Sequence, residues 1–73
     1  MGRLAGISGQ QAVAAFSRAG YVQVRQKGSH AILARPGMPS LVIPIHREIA
    51  PFLLRSQIRR AGLTEEQFLD LLR

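Results

Sequence analysis

Histidine is the side chain whose ordinary titration falls near neutral pH, and this chain has two. His30 lies in RQKGSHAILARPG, directly after Gly28-Ser29 and downstream of Arg25 and Lys27. His46 lies in IPIHRE. With an RNA backbone across Arg25 and Lys27, the His30 imidazole is able to take the proton of a ribose 2′-hydroxyl. The two cations would then stabilise charge growing on the phosphorus oxygens. The plain alternative for His30 is a solvated strand residue without chemistry. For His46 it is a connector residue whose imidazole bonds a backbone carbonyl.

Other chemistries find little to work with. The absence of cysteine excludes disulfides and thiolate nucleophiles, and fits a reducing cytoplasm. Two histidines with Glu48 as the only nearby carboxylate make a poor metal site, and no glycine-rich loop leads from a strand into a helix to cradle a nucleotide phosphate. No metal and no small-molecule cofactor is expected. Ser29 and His30 are neighbours in sequence and so face opposite sides of a strand, which argues against a serine-histidine nucleophile pair.

Ten Lys and Arg against four Asp and Glu give a formal charge of +6, which favours a polyanionic partner such as RNA. The arginines are scattered and do not line one face of an apolar helix, no run of about eighteen apolar residues occurs, and MGRLAGISGQQAVAAF lacks a signal-peptide core. A soluble, cytoplasmic protein without membrane contact is expected.

The two histidines need elements to hold them, and 73 residues suffice for one domain, 1–73, with a thin core. Ser8 and Gln11 form a capping-box pattern, and Ala12, Val13, Phe16 and Ala19 follow at helical spacing until Gly20, which predicts a helix over Ser8 to Ala19. YVQVRQK and HAILAR read as two strands joined by Gly28-Ser29 in a two-residue type II′ turn. That turn pairs Lys27 with His30, Val24 with Leu33 and Arg25 with Ile32. Val22, Val24, Ala31 and Leu33 are then expected on a core face, and Gln23, Arg25, Lys27 and His30 on an open one.

SLVIPI reads as a third strand with Pro44 near its end or at an edge. Pro51 opens a second helix with Leu54, Ile58 and Ala61 as its apolar stripe and Arg55, Arg59 and Arg60 off it, stopped by Gly62 with Leu63 folding back on Ile58. Thr64 and Gln67 form another capping box ahead of a last helix, Glu65 to Leu72. The fold class expected is α+β: α-β-β-β-α-α, with a three-stranded antiparallel sheet and helices on one face.

QKGSH, then VIPIH, then LRSQIRRAGLTEEQFL together resemble the HicA family of toxin mRNA interferases. The similarity runs over nearly the whole chain, from RAGY at the end of the first helix through Gly28-Ser29-His30, Pro44 and His46, to Leu54-Arg55-Ser56 and Ala61-Gly62-Leu63. It implies a fold like the double-stranded RNA-binding domain, a catalytic histidine at His30, mRNA as substrate, and a HicB-like antitoxin as partner. Within that frame His46 is the candidate general acid, and Arg25, Lys27, Gly28 and Ser29 are the candidate RNA contacts. The chain departs from the family pattern at Phe52 and Leu53, where glycine and threonine are common, and at Gln57, which is usually apolar. The rival reading is a noncatalytic RNA-binding module of the same fold.

Overall fold

The computed structural model describes residues 3–73. The elements run α1 (Gly9–Arg18), β1 (Val22–Lys27), β2 (His30–Ala34), β3 (Leu41–Pro44), α2 (Pro51–Arg60) and α3 (Glu65–Leu71). Two of the helices begin in capping boxes. The Ser8 hydroxyl accepts from the Gln11 N–H at 3.1 Å while the Gln11 side chain accepts from the Ser8 N–H at 2.9 Å, and Thr64 and Gln67 repeat the arrangement at α3. Each box satisfies two donors that a helix start leaves orphaned. α2 has no side-chain cap and starts instead on Pro51, whose ring presets the helical φ.

Both α1 and α2 end in Schellman motifs. Gly20 takes φ 99° and the Tyr21 N–H returns to the Phe16 carbonyl; Gly62 takes φ 73° and the Leu63 N–H returns to the Ile58 carbonyl. Behind the first of these turns Phe16 and Tyr21 meet edge to face at 6.1 Å. The turn therefore does more than stop α1: it aims β1 back along the sheet with Tyr21 as its buried anchor.

The sheet is antiparallel in the order β1-β2-β3. Gly28 at φ 60° and the absence of positive φ at Ser29 give the expected type II′ form, and Lys27 pairs with His30. Arg25 also pairs with Ile32 as expected, but Leu33 pairs with Gln23 rather than Val24, because a bulge lies between Gln23 and Arg25. The extra residue reverses the expected facing upstream of it. Gln23 and Gln26 lie opposite Leu33 and Ala31, on the helix side, and their side chains join at 3.2 Å. Val22 and Val24, expected in the core, are instead 62% and 61% exposed. The core does not need them, since Ala31 and Leu33 of β2 and Leu41 and Ile43 of β3 already meet the helices.

The two sheet edges are closed differently. Along β3 alternate backbone groups point away from β2. The Val42 N–H donates to Oε1 of Gln57 at 3.0 Å, and Pro44, next in that alternation, has no N–H to offer. β1 carries the bulge and the cations Arg25 and Lys27, features that discourage strand addition.

Under the sheet Phe16 of α1 and Phe68 of α3 meet at 5.0 Å with their rings tilted by 45°, both fully buried, with Leu54 and Ile58 of α2 beside them in the same core. Truncating either ring to alanine would cost about 3–5 kcal/mol. In a chain this short that approaches the whole stability. No helix is long and apolar enough to cross a membrane among the described residues.

Candidate active site

His30 is the first residue of β2 and is exposed. Pairing with β3 sets Pro44 beside it, and the ladder continues one step further, with the Ile45 N–H donating to the Ser29 carbonyl at 2.6 Å. His46 follows at once. Its imidazole stands 6.5 Å from that of His30, centroid to centroid, at an interplanar angle of 61°. Sixteen positions apart in sequence, the two rings are brought together by one strand pairing.

The connector that carries His46 is fastened to the segment ahead of α1. The Gly6 N–H donates to Glu48 Oε2 at 3.0 Å, the Ile49 N–H to the Ile7 carbonyl at 2.8 Å, and the Gly9 N–H to the His46 carbonyl at 2.9 Å. Leu4, Ile7 and Ile49 are buried around these bonds. Gly9 makes the closest approach: a Cβ there would lie 2.1 Å from the Pro44 carbonyl oxygen and 2.7 Å from the Ile45 Cα. Only a residue without a side chain lets the start of α1 come this near to the strand end.

A cleft of about 480 Å³ opens over the two rings, lined by His30, Pro44, His46, Glu48, Leu53 and Gln57. Its walls come from β2, β3, the connector and α2. Leu53 and Gln57 are one turn apart on α2, so they present to the cleft as a pair. Among the described residues neither imidazole hydrogen-bonds a protein group, which leaves the ring nitrogens of both free to meet a ligand. The connector reading, in which the His46 ring bonds a backbone carbonyl, is therefore not what the structure has.

Arg25, Lys27, Gly28 and Ser29 do not line the cleft. Lys27 sits directly across from His30 in the hairpin, and Arg25 pairs with Ile32 two positions along on the same open face. Gly28 and Ser29 form the exposed turn, and the Ser29 carbonyl is already engaged by Ile45. The ion pairs among the described residues are Arg3 with Glu66 and Arg55 with Glu65, so Arg25 and Lys27 remain uncompensated. The open face thus presents positive charge next to two free imidazoles. No group of three or more His, Cys, Asp and Glu suited to a metal ion occurs among the described residues.

The parts that three residues play in shaping the site were not anticipated from the sequence. Gly9 has a visible signal in retrospect, a glycine inside a capping box where a better helix former would serve. Gln57 has another, as a polar residue on the apolar side of an amphipathic helix; its buried amide closes the β3 edge. Glu48 lies in a connector of no regular pattern, and nothing in its surroundings points to the Gly6 contact.

A family model described as the HicA toxin of bacterial toxin-antitoxin systems matches residues 9–63. The match begins at Gly9, takes in both histidines and all three strands, and ends just after α2. No curated protein matches the chain.

Proposed function

The chain belongs to the HicA toxin family of toxin-antitoxin systems, and on that premise we propose that it is an endoribonuclease that cuts mRNA without a metal, with His30 as general base. The observation that carries this reading is the pair of imidazoles, 6.5 Å apart in one cleft, beside the uncompensated Lys27 and Arg25. Phosphoryl transfer puts attacking and leaving oxygens on opposite sides of phosphorus. Two proton-transfer groups on either side of a phosphodiester match that requirement.

In the proposed reaction His30 takes the proton of the ribose 2′-hydroxyl as its oxygen bonds to phosphorus. The bond from phosphorus to the 5′-oxygen breaks, and His46 gives that oxygen a proton. Lys27 and Arg25 hold the phosphates and offset negative charge on the nonbridging oxygens. The products are a 2′,3′-cyclic phosphate and a 5′-hydroxyl. The nucleophile belongs to the substrate, so no metal-bound hydroxide is required.

The HicA family implies a cognate antitoxin. We assign it, as a HicB-like protein, to the open sheet face, where Val22, Val24 and Val42 stand exposed among Arg25 and Lys27. Apolar groups for the valines and carboxylates for the cations would suit that surface, and a protein seated there would cover His30.

The test is cleavage of an RNA oligonucleotide by purified protein in EDTA, with His30→Ala alongside. The native protein should cut and the variant should lose about 10²- to 10⁴-fold in rate while remaining folded. Cleavage of a substrate 2′-deoxy at the scissile ribose, or activity that requires magnesium, would overturn the mechanism. Binding of RNA by the folded native protein without any cutting would favour the noncatalytic module.

A further inference from the structure

The chain has four aromatic side chains, and their placement is uneven. Phe16, Tyr21 and Phe68 are packed together in the core. Phe52, in the first turn of α2, is 74% exposed. A phenylalanine ring held in water forfeits the free energy of burial.

Its position is specific. Phe52 lies between Ala50 and Leu53, both of which line the cleft over the two histidines. The ring does not itself line the cleft, but it projects to solvent from the same helical turn as Leu53, which does. Along α2 from Phe52 the positions one and two turns on are Ser56 and Arg59, both exposed and polar. An exposed phenylalanine at the edge of a protein-docking surface would continue into an apolar patch along its helix; this one continues into a hydroxyl and a guanidinium. Aromatic ring, then cation, is the combination that single-stranded nucleic acid meets, with a base stacked on the ring and the backbone beside the positive charge.

We propose that Phe52 is a stacking platform for one unpaired base of the RNA strand that enters the His30–His46 cleft, and so a determinant of which single-stranded segment is cut. The inference rests on the proposed ribonuclease reading for the location of the scissile phosphate, but the stacking itself does not require cleavage. It makes the substrate single-stranded at the site, because a base within a duplex has no free face to offer. The platform acts before the chemical step, as uniform binding: it holds ground state and transition state alike, and its loss raises KM while leaving kcat in place.

The experiment uses the chain's lack of tryptophan. Phe52→Trp keeps an aromatic face and makes residue 52 the sole indole, whose emission reports on its own surroundings. It is introduced together with His30→Ala, so that RNA stays intact, and titrated with an unstructured RNA oligonucleotide. Quenching of the emission on binding is expected. In the protein with native His30, Phe52→Ala should raise KM for a single-stranded substrate about 5- to 100-fold, the range of one stacked base, with kcat within about twofold of native. Phe52→Trp alone should restore or improve KM.

Quenching without cleavage by the native protein would keep the platform and remove the nuclease reading. Cleavage by Phe52→Ala with native KM, or RNA binding that leaves the indole emission unchanged, would overturn the platform and keep the nuclease. RNA affinity untouched by Phe52→Ala together with lost affinity for the antitoxin would also overturn it, and would give this helix face to the protein partner.

Discussion

Replacing Gly9 by alanine sets helix propensity against tertiary contact, and the two give opposite signs. Alanine is favoured over glycine in a helix by about 1 kcal/mol, less at the first position, so propensity alone makes Gly9→Ala stabilising. The structure says otherwise. The new Cβ would lie 2.1 Å from the Pro44 carbonyl oxygen, where ordinary contact begins near 3.4 Å, and its second neighbour is the Ile45 backbone, which has no rotamer to escape through. α1 and the strand end must part by on the order of 1 Å to restore normal contact. Overpacking of this kind costs about 1–3 kcal/mol, and stretching the bond from the Gly9 N–H to the His46 carbonyl loses about 1 kcal/mol more. The net is a loss of about 2 kcal/mol, or roughly 10 °C in Tm for a chain of this size.

The displaced backbone is that of Pro44 and Ile45, which leads directly into His46, so the same substitution should reach the chemistry. A misplacement near 1 Å can lower a rate by about 10²-fold, while RNA affinity, held by Lys27 and Arg25 on the far side of the hairpin, should change only slightly. The assay is thermal and urea unfolding of Gly9→Ala, followed by single-turnover cleavage well below its Tm and RNA binding under the same conditions. A variant that melts at or above the native temperature and cuts at the native rate would refute both the contact and the assigned role of His46.

His46→Ala should lower single-turnover cleavage by about 10²- to 10⁴-fold while the protein stays folded, and a native rate would take the acid role from His46. Lys27→Ala should weaken RNA binding and reduce the slope of log affinity against log salt by about one, measured by titration at several salt concentrations, because one fewer phosphate is neutralised. Gln57→Leu should lower the urea midpoint by an amount equivalent to about 1 kcal/mol, although leucine is the more hydrophobic residue, because the Val42 N–H loses its acceptor; a raised midpoint would show that the edge bond contributes nothing net.

Elements whose causes are local can be read directly from the residues. Ser8 with Gln11, Thr64 with Gln67, Gly20, Gly62 and Gly28-Ser29 each act within a few positions of themselves, and the helix ends and the hairpin turn fall where those residues require. The pairing of Lys27 with His30 follows from the turn alone. Beyond the turn, local reasoning fails at Val24. Alternation of valine with polar residues predicts a core face, but which side of an edge strand is covered depends on how far the helices reach, and here β2 and β3 fill that space and β1 bulges.

The site divides in the same way. That His30 projects from the start of a strand onto a basic face was legible from QKGSH, because a two-residue turn dictates the first pair of any hairpin. That His46 lies 6.5 Å from it was not, because the distance depends on β3 pairing with β2 and on three hydrogen bonds to the segment Gly6–Gly9, which stands some forty residues away in the chain. The cleft likewise takes Leu53 and Gln57 from a helix whose docking on β3 is settled by the buried Leu54 and Ile58 and by one amide against one strand N–H. Residue types and short spacings determine which groups are available and how each small element begins and ends. Which of those groups share a cleft is decided by packing between distant segments, where the free energy of burial and of satisfying edge hydrogen bonds has no counterpart in any local stretch of sequence.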